Sequence, residues 1–146
     1  MTKIQPSVRR IAIAGAGLVL IGLLTGFISG LTANPRMGLS SHLAALSGGT
    51  LLLALAGIWT HVSLQPRGER WAIGLMIYAM AANWLATLLA AVWGAGAETM
   101  PLAAGGRQAT ALQEGIVTAL LASLSVAAVV GVVLVLIGLV QRRSAD

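Results

Sequence analysis

The chain has 146 residues, 58% of them hydrophobic and only 9% charged, with nine basic residues against four acidic ones. That is too apolar for a soluble domain of this size, so residues 1–146 are read as a single membrane domain, with no room for a second. The lack of cysteine excludes disulfides, iron–sulfur clusters and cysteine-bound zinc. The basic residues flank apolar runs as topology signals do, so nucleic acid is not an expected partner.

Four apolar runs follow in order: Ile11 to Leu31, Leu43 to Val62, Trp71 to Trp93 and Ala111 to Val140. About 20 residues cross a hydrocarbon core as a helix. The first three runs fit, and the fourth must tilt or begin outside the core. Backbone groups in lipid must be satisfied internally, so the expected fold is an all-α, integral membrane four-helix bundle. The first run is expected to be retained, because no small-residue cleavage site precedes a polar mature chain. Lys3, Arg9, Arg10, Arg67, Arg70, Arg142 and Arg143 lie on one side of the four runs, and only Arg36 and Arg107 on the other. The asymmetry predicts that both termini face the cytoplasm and that the chain sits in the cell's inner (cytoplasmic) membrane.

The first run carries Gly22, Gly26 and Gly30 at four-residue spacing, a smooth stripe suited either to packing within one chain or to a subunit interface. Between the first two runs stands "ANPRMGLSSHLAAL". Pro35 and Gly38 predict a tight turn there. Ser40 or Ser41 is expected to cap the second helix, so that His42 opens it. Ser47, Gly48 and Gly49 then cluster near the helix start, admitting a neighbouring backbone or a flat ligand. The longest connection, "GAGAETMPLAAGGRQAT" from Gly94 to Thr110, contains Pro101 as a helix breaker and Gly105–Gly106 as a turn. Thr110 and Gln113 have the spacing of a capping box. Glu114 then falls in the first turn of the fourth helix, where the helix dipole favours a carboxylate. That structural reading stands beside a functional one, in which Glu114 orients a histidine or handles a proton.

Polar groups inside a membrane are costly, which makes His42, Asn83, Gln113 and Glu114 the candidates for chemistry, with Tyr78 and several hydroxyls behind them. Asn83 sits in "YAMAANWLATLL", where an amide either bonds another helix or walls a pocket. His42 is either an interfacial polar residue or a ligand. His61 lies nineteen positions further on, roughly 28 Å along a helix, so the two cannot clamp one metal within a single chain. A metal on His42 would therefore keep an open coordination position. Arg36 is either a solvated surface charge or a partner for an anionic group. Small proton-coupled exporters carry an acidic residue in their first helix, and this first run has no charge. A four-helix cytochrome would pair histidines on facing helices, and only two histidines are present. A non-catalytic assembly or transport subunit is compatible with the composition.

"ANPRMGLSSHL", "ANWLATLLAAVWGAG", "MPLAAGG" and "QEGIV", in that order, resemble the hydroxylaminobenzene mutase family, from about Ala33 to the end of the fourth helix. More distantly the layout is similar to that of the membrane styrene oxide isomerases, small four-helix proteins that bind haem b through one histidine and form trimers. The resemblance implies an isomerase that moves oxygen from the nitrogen of an aryl hydroxylamine to its ring, giving an aminophenol. The epoxide-opening isomerase is the alternative. It implies a small aromatic substrate, a homotrimer in membrane lipid, and haem iron held by His42 as a Lewis acid, with Arg36 on a propionate. Asn83 and Glu114 fall on the asparagine of the third helix and on the acidic position of the "QE" motif. The chain departs from the pattern at Gly48, where the relatives have an asparagine, at Ala44, where they have an acidic residue, and at Thr87, where the isomerases have an aromatic.

Overall fold

The computed structural model describes the backbone of residues 5–143 and the side chains of residues 5–141. Lys3 therefore lies outside the described residues, as do the side chains of Arg142 and Arg143. The first helix, α1, covers Pro6–Ile28 and ends in a 3-10 turn, Ser29–Leu31. Next come α2 (Pro35–Ile58, with a 3-10 turn at Trp59–His61), α3 (Pro66–Trp93), a single helical turn α4 (Pro101–Ala104) and α5 (Ala111–Arg143). Four of these are long and apolar enough to cross a membrane, and no strand occurs among the described residues.

The spans match the four apolar runs, but their starts do not, and proline is the reason. Pro6, Pro35, Pro66 and Pro101 each occupy the first turn of a helix. There the missing N–H costs nothing and the fixed φ suits the helix. Two expectations are corrected by this. Pro101 begins a helical turn rather than breaking one. Helix α2 begins at Pro35, so His42 does not open it but lies two turns inside, about 10 Å from its start. The cap is Asn34, whose Oδ1 accepts the Met37 N–H at 3.3 Å. Ser40 and Ser41 are free for other work: Ser40 Oγ donates to the Arg36 carbonyl, and buried Ser41 donates across to the Trp84 carbonyl of α3 at 3.2 Å. The Thr110–Gln113 capping box forms as expected, with the Thr110 N–H donating to Gln113 Oε1 at 3.0 Å and the Gln113 N–H to Thr110 Oγ1 at 3.4 Å.

Neighbouring helices pack in a row, α1 on α2, α2 on α3 and α3 on α5, while α5 touches little else than α3 and the Trp59–His61 turn. The four-helix arrangement is thus open on one side. Lipid supplies no hydrophobic drive between helices, so the contacts rely on small residues that let backbones approach. A Cβ on Gly15 would stand 2.9 Å from the Gly49 carbonyl oxygen, and one on Gly49 would stand 2.7 Å from that of Gly15. The inner side of α3 is mostly alanine: Ala72, Ala79, Ala82, Ala86, Ala90 and Ala91 are buried, with Ile73, Met76 and Thr87 between them. Gly131 of α5 lies against the Met76 thioether, and Gly138 accepts the Ser63 N–H at 2.9 Å.

At the opposite membrane face the Asn34 segment ties three elements together. Its N–H donates to Ala91 at the end of α3, and its amide Nδ2 donates to the Ala103 carbonyl of α4 at 2.9 Å. Asn34 is 1% exposed, so these bonds have no competing water. Asn34→Ala should therefore remove the helix cap and leave buried carbonyls unpaired, at a cost of about 1–3 kcal/mol. A clear drop in the detergent-solubilised protein's melting temperature checks this; Pro35→Ala, which removes no hydrogen bond, should change it little.

Candidate active site

His42 projects toward α1. Its Nδ1 lies 2.7 Å from the carbonyl oxygen of Gly22. A carbonyl only accepts, so Nδ1 carries the proton and Nε2 is the lone-pair nitrogen. The ring occupies the space that a side chain on Gly26 would need: a Cβ there would stand 2.8 Å from Nδ1. Two of the three glycines of the stripe are thus taken up inside the chain. Gly22 faces Ala45 and Leu46, Gly26 faces His42, and Gly30 meets nothing within 4 Å.

Asn83 lies about two-thirds of the way along α3. The Ser41–Trp84 hydrogen bond joins the residues next to His42 and Asn83, which sets the two at similar depth. A second link reaches α1, with Trp84 Nε1 donating to the buried Thr25 hydroxyl at 3.1 Å. The Asn83 side chain lines an open groove of about 750 Å³ between α2 and α3, along with Ser40, Leu43, Ala44, Ser47 and Thr87. The hydroxyls there donate to their own helices: Ser40 to Arg36, Ser47 to Leu43, Thr50 to Leu46 and Thr87 to Asn83. The Asn83 amide has no hydrogen-bond partner among the described residues. It is the groove's free donor.

The other two candidates are engaged with backbone. Arg36 is exposed and donates from Nη1 to the Leu102 carbonyl at 3.1 Å, beside the carbonyl that Asn34 holds. Glu114 is 6% exposed, and its carboxylate gathers the 94–110 connection. Oε2 accepts the Gly96 N–H at 2.8 Å, while Oε1 accepts those of Ala97 at 3.4 Å and Ala109 at 3.3 Å. Gly94 (φ 69°) and Gly96 (φ 113°) give that connection the left-handed turns it needs.

The four site residues do not share one cavity. His42 faces α1, Asn83 opens on the far side of α2, and Arg36 and Glu114 secure connections at the membrane face. Tyr78 bonds Ser123 at 2.7 Å, and His61 is exposed beside Thr60. Among the described residues no three His, Asp or Glu side chains come close enough to hold a metal ion. Haem iron needs only one protein nitrogen, and His42 fits that demand: its Nδ1–H is fixed by a carbonyl and its Nε2 has no partner among the described residues. Sequence reasoning did not foresee the Gly22 carbonyl as the histidine's partner. The spacing of Gly22 and Gly26 was the available signal.

Fold and site together describe a helical membrane protein with one oriented histidine and a groove holding one unpaired amide. The profile of the styrene oxide isomerase family matches residues 7–140, and the chain belongs to that family. It is 49% identical over 144 residues to the hydroxylaminobenzene mutase HabB of Ectopseudomonas oleovorans, covering 97% of this chain and 88% of the relative. It is 40% identical over 128 residues to HabA, a hydroxylaminobenzene mutase of the same organism, covering 88% of this chain and 95% of the relative. No solved structure matches the chain. Family and relatives alike are isomerases, so the protein is an enzyme of that class and not a passive assembly or transport subunit.

The His42 contact is directly testable. Gly26→Ala should push the imidazole off the Gly22 carbonyl and lower activity on the order of tenfold or more, as loss of a histidine's orienting partner does elsewhere. Gly17→Ala, on the same helix with nothing within 4 Å, should leave activity unchanged. Equal rates for the two variants, with unaltered circular dichroism, would remove His42's orientation from the mechanism.

Proposed function

We propose that the protein rearranges an aryl hydroxylamine to an aminophenol within the membrane, binding the substrate's polar head at Asn83. The observation that carries this reading is the unpaired Asn83 amide on the wall of the α2–α3 groove. Leaving an amide unpaired in apolar surroundings costs free energy, and a bound polar ligand recovers it. The groove's leucine and alanine side chains would hold the aromatic ring and keep bulk water from the reacting bond. Both relatives are hydroxylaminobenzene mutases, which supports this reading. Substrate and product contain the same atoms, with oxygen moved from nitrogen to ring carbon, so no external reductant or oxidant enters.

We infer further that His42 Nε2 holds haem b. When bound, that group supplies a Lewis acid that draws electron density from a bond to oxygen. The chain's own contribution is to fix the imidazole through Gly22 and to offer the remaining N–H groups of Arg36 to a propionate. Asn83 orients the substrate through its amide. Glu114 is kept in the site as a positioning residue: moving a proton would require giving up backbone bonds that hold the 94–110 connection. Copies of the chain are proposed to associate as a trimer, because His42 and Asn83 lie on opposite sides of α2 and a neighbouring copy would close the open groove. The family is that of styrene oxide isomerase, whose substrate is an aryl epoxide, which makes epoxide opening the second reading.

Purified protein supplied with hydroxylaminobenzene, without nicotinamide or oxygen, should yield aminophenol. His42→Ala should lose both the haem absorption and turnover while remaining assembled. Asn83→Ala should keep the absorption and lose about ten- to hundredfold in rate, as for one hydrogen bond lost from bound substrate. Full activity in haem-free protein would overturn the cofactor. Product from styrene oxide but none from hydroxylaminobenzene would replace the first reading with the second.

The orientation proposed from the seven-to-two basic asymmetry is with both termini cytoplasmic. In this cysteine-free chain, Gln108→Cys should be labelled from outside sealed cells, and Thr2→Cys and Ala145→Cys should not. The reverse pattern would invert the topology.

A further inference from the structure

We propose that the groove between α3 and α5, which shares no lining residue with the Asn83 groove, seats an anionic glycerophospholipid, with one acyl chain along the groove and the phosphate between Arg67 and Arg70. The groove has a volume of about 490 Å³ and runs from Gly68 and Trp71 to Tyr78 on α3, and from Leu134 to Ser123 on α5. The α5 side spans about 16 Å at 1.5 Å per residue. The mean cross-section is then about 30 Å², room for one polymethylene chain along the groove. What selects a lipid over a helix of a second copy is the charge at one end. The groove's inner end is closed by the Tyr78–Ser123 hydrogen bond of 2.7 Å, which satisfies the two hydroxyls against each other.

The other end supplies the charge. Arg67, Arg70 and Trp71 surround a smaller recess of about 220 Å³, and Trp71 is common to recess and groove. Arg67 and Arg70 stand three residues apart on one face of the first turns of α3, and both are exposed. The acidic residue between them is turned away: Glu69 Oε1 accepts the Trp59 indole N–H at 3.2 Å. Neither arginine has an ion-pair partner among the described residues. Two unpaired guanidinium groups at the level of the headgroups, above an acyl-sized slot, complement a phosphate that carries net negative charge. Trp71, 67% exposed, lies where an indole anchors at the membrane interface.

The test is lipid retention. The assembled protein is reconstituted in vesicles of equal parts phosphatidylglycerol and phosphatidylcholine with identical acyl chains, repurified in mild detergent, and its bound lipid extracted and quantified. Phosphatidylglycerol should be enriched about tenfold over phosphatidylcholine. Arg67→Gln with Arg70→Gln should bring the ratio close to one, with isomerase activity unchanged. Val126→Trp, at an exposed position, should fill the slot and lower the total of both lipids while the arginines remain. Equal enrichment in wild type and the double variant would overturn the headgroup site. Retention unaffected by Val126→Trp would overturn the groove as the seat. Efficient disulfide cross-linking of Val130→Cys chains in vesicles would place a second copy there and overturn the lipid.

Discussion

The imidazole of His42 lies against bare backbone, and much of the arrangement around it depends on that contact. A histidine inside a membrane must have its N–H satisfied, and the nearest strong acceptor is the Gly22 carbonyl of the adjacent helix. Reaching it at 2.7 Å requires α1 and α2 to approach closely and requires Gly26 to present no side chain. Further along the same pair, Gly15 and Gly49 maintain the close approach with mutual carbonyl contacts. One hydrogen bond thus selects the tautomer, orients the ring and sets the helix spacing. It also accounts for Gly15, Gly22 and Thr25, three of the five buried positions of α1, being small or polar.

The same demand, that every backbone group near lipid find a partner, accounts for polar residues that sequence reasoning linked to chemistry. Where helices end, carbonyl and N–H groups are left without intrahelical partners. Arg36 and Asn34 answer the carbonyls of the α4 turn, and Glu114 answers N–H groups on either side of that turn. A carboxylate is well suited to the second task, since it only accepts and sits where the start of α5 offers positive potential. These residues hold the connections still and so hold the ends of α2 and α3, between which the Asn83 groove lies, and the start of α5.

How much of this was legible in the sequence follows from the range of each interaction. The four spans were, because an apolar run of membrane-crossing length has few other meanings. The Thr110–Gln113 box was, because its partners are three residues apart. The start of α2 was misplaced by two turns although Asn34–Pro35 is a cap followed by a first-turn proline; the polar serines nearer His42 drew the boundary inward. The direction in which the glycine stripe faced was not legible, since helical spacing defines a face but not its neighbour. Nor was the freedom of the Asn83 amide, which depends on α2 offering it only hydroxyls already turned to their own carbonyls. His42, Asn83 and Glu114 could be picked out as polar groups costly in a membrane, but the different walls on which they stand could not.

The polarity of the Asn83 groove bears on which oxygen compound suits it. An aryl hydroxylamine has N–H and O–H donors as well as acceptor lone pairs, whereas an aryl epoxide has only an acceptor. Asn83 offers both an NH₂ donor and a carbonyl acceptor, and the hydroxyls of Ser47, Thr50 and Thr87, having donated to their helices, present lone pairs to the groove. A hydroxylamine would engage both halves of the amide; an epoxide would leave the acceptor half unpaired in an apolar wall, a loss of about 1–3 kcal/mol. Gly48 adds no competing polar group, because it packs against Met80 and Leu18 rather than opening on the groove. With an alanine at position 44 and a threonine at position 87, the wall is small and accepting, and on the proposed reading that balance favours the hydroxylamine over the epoxide.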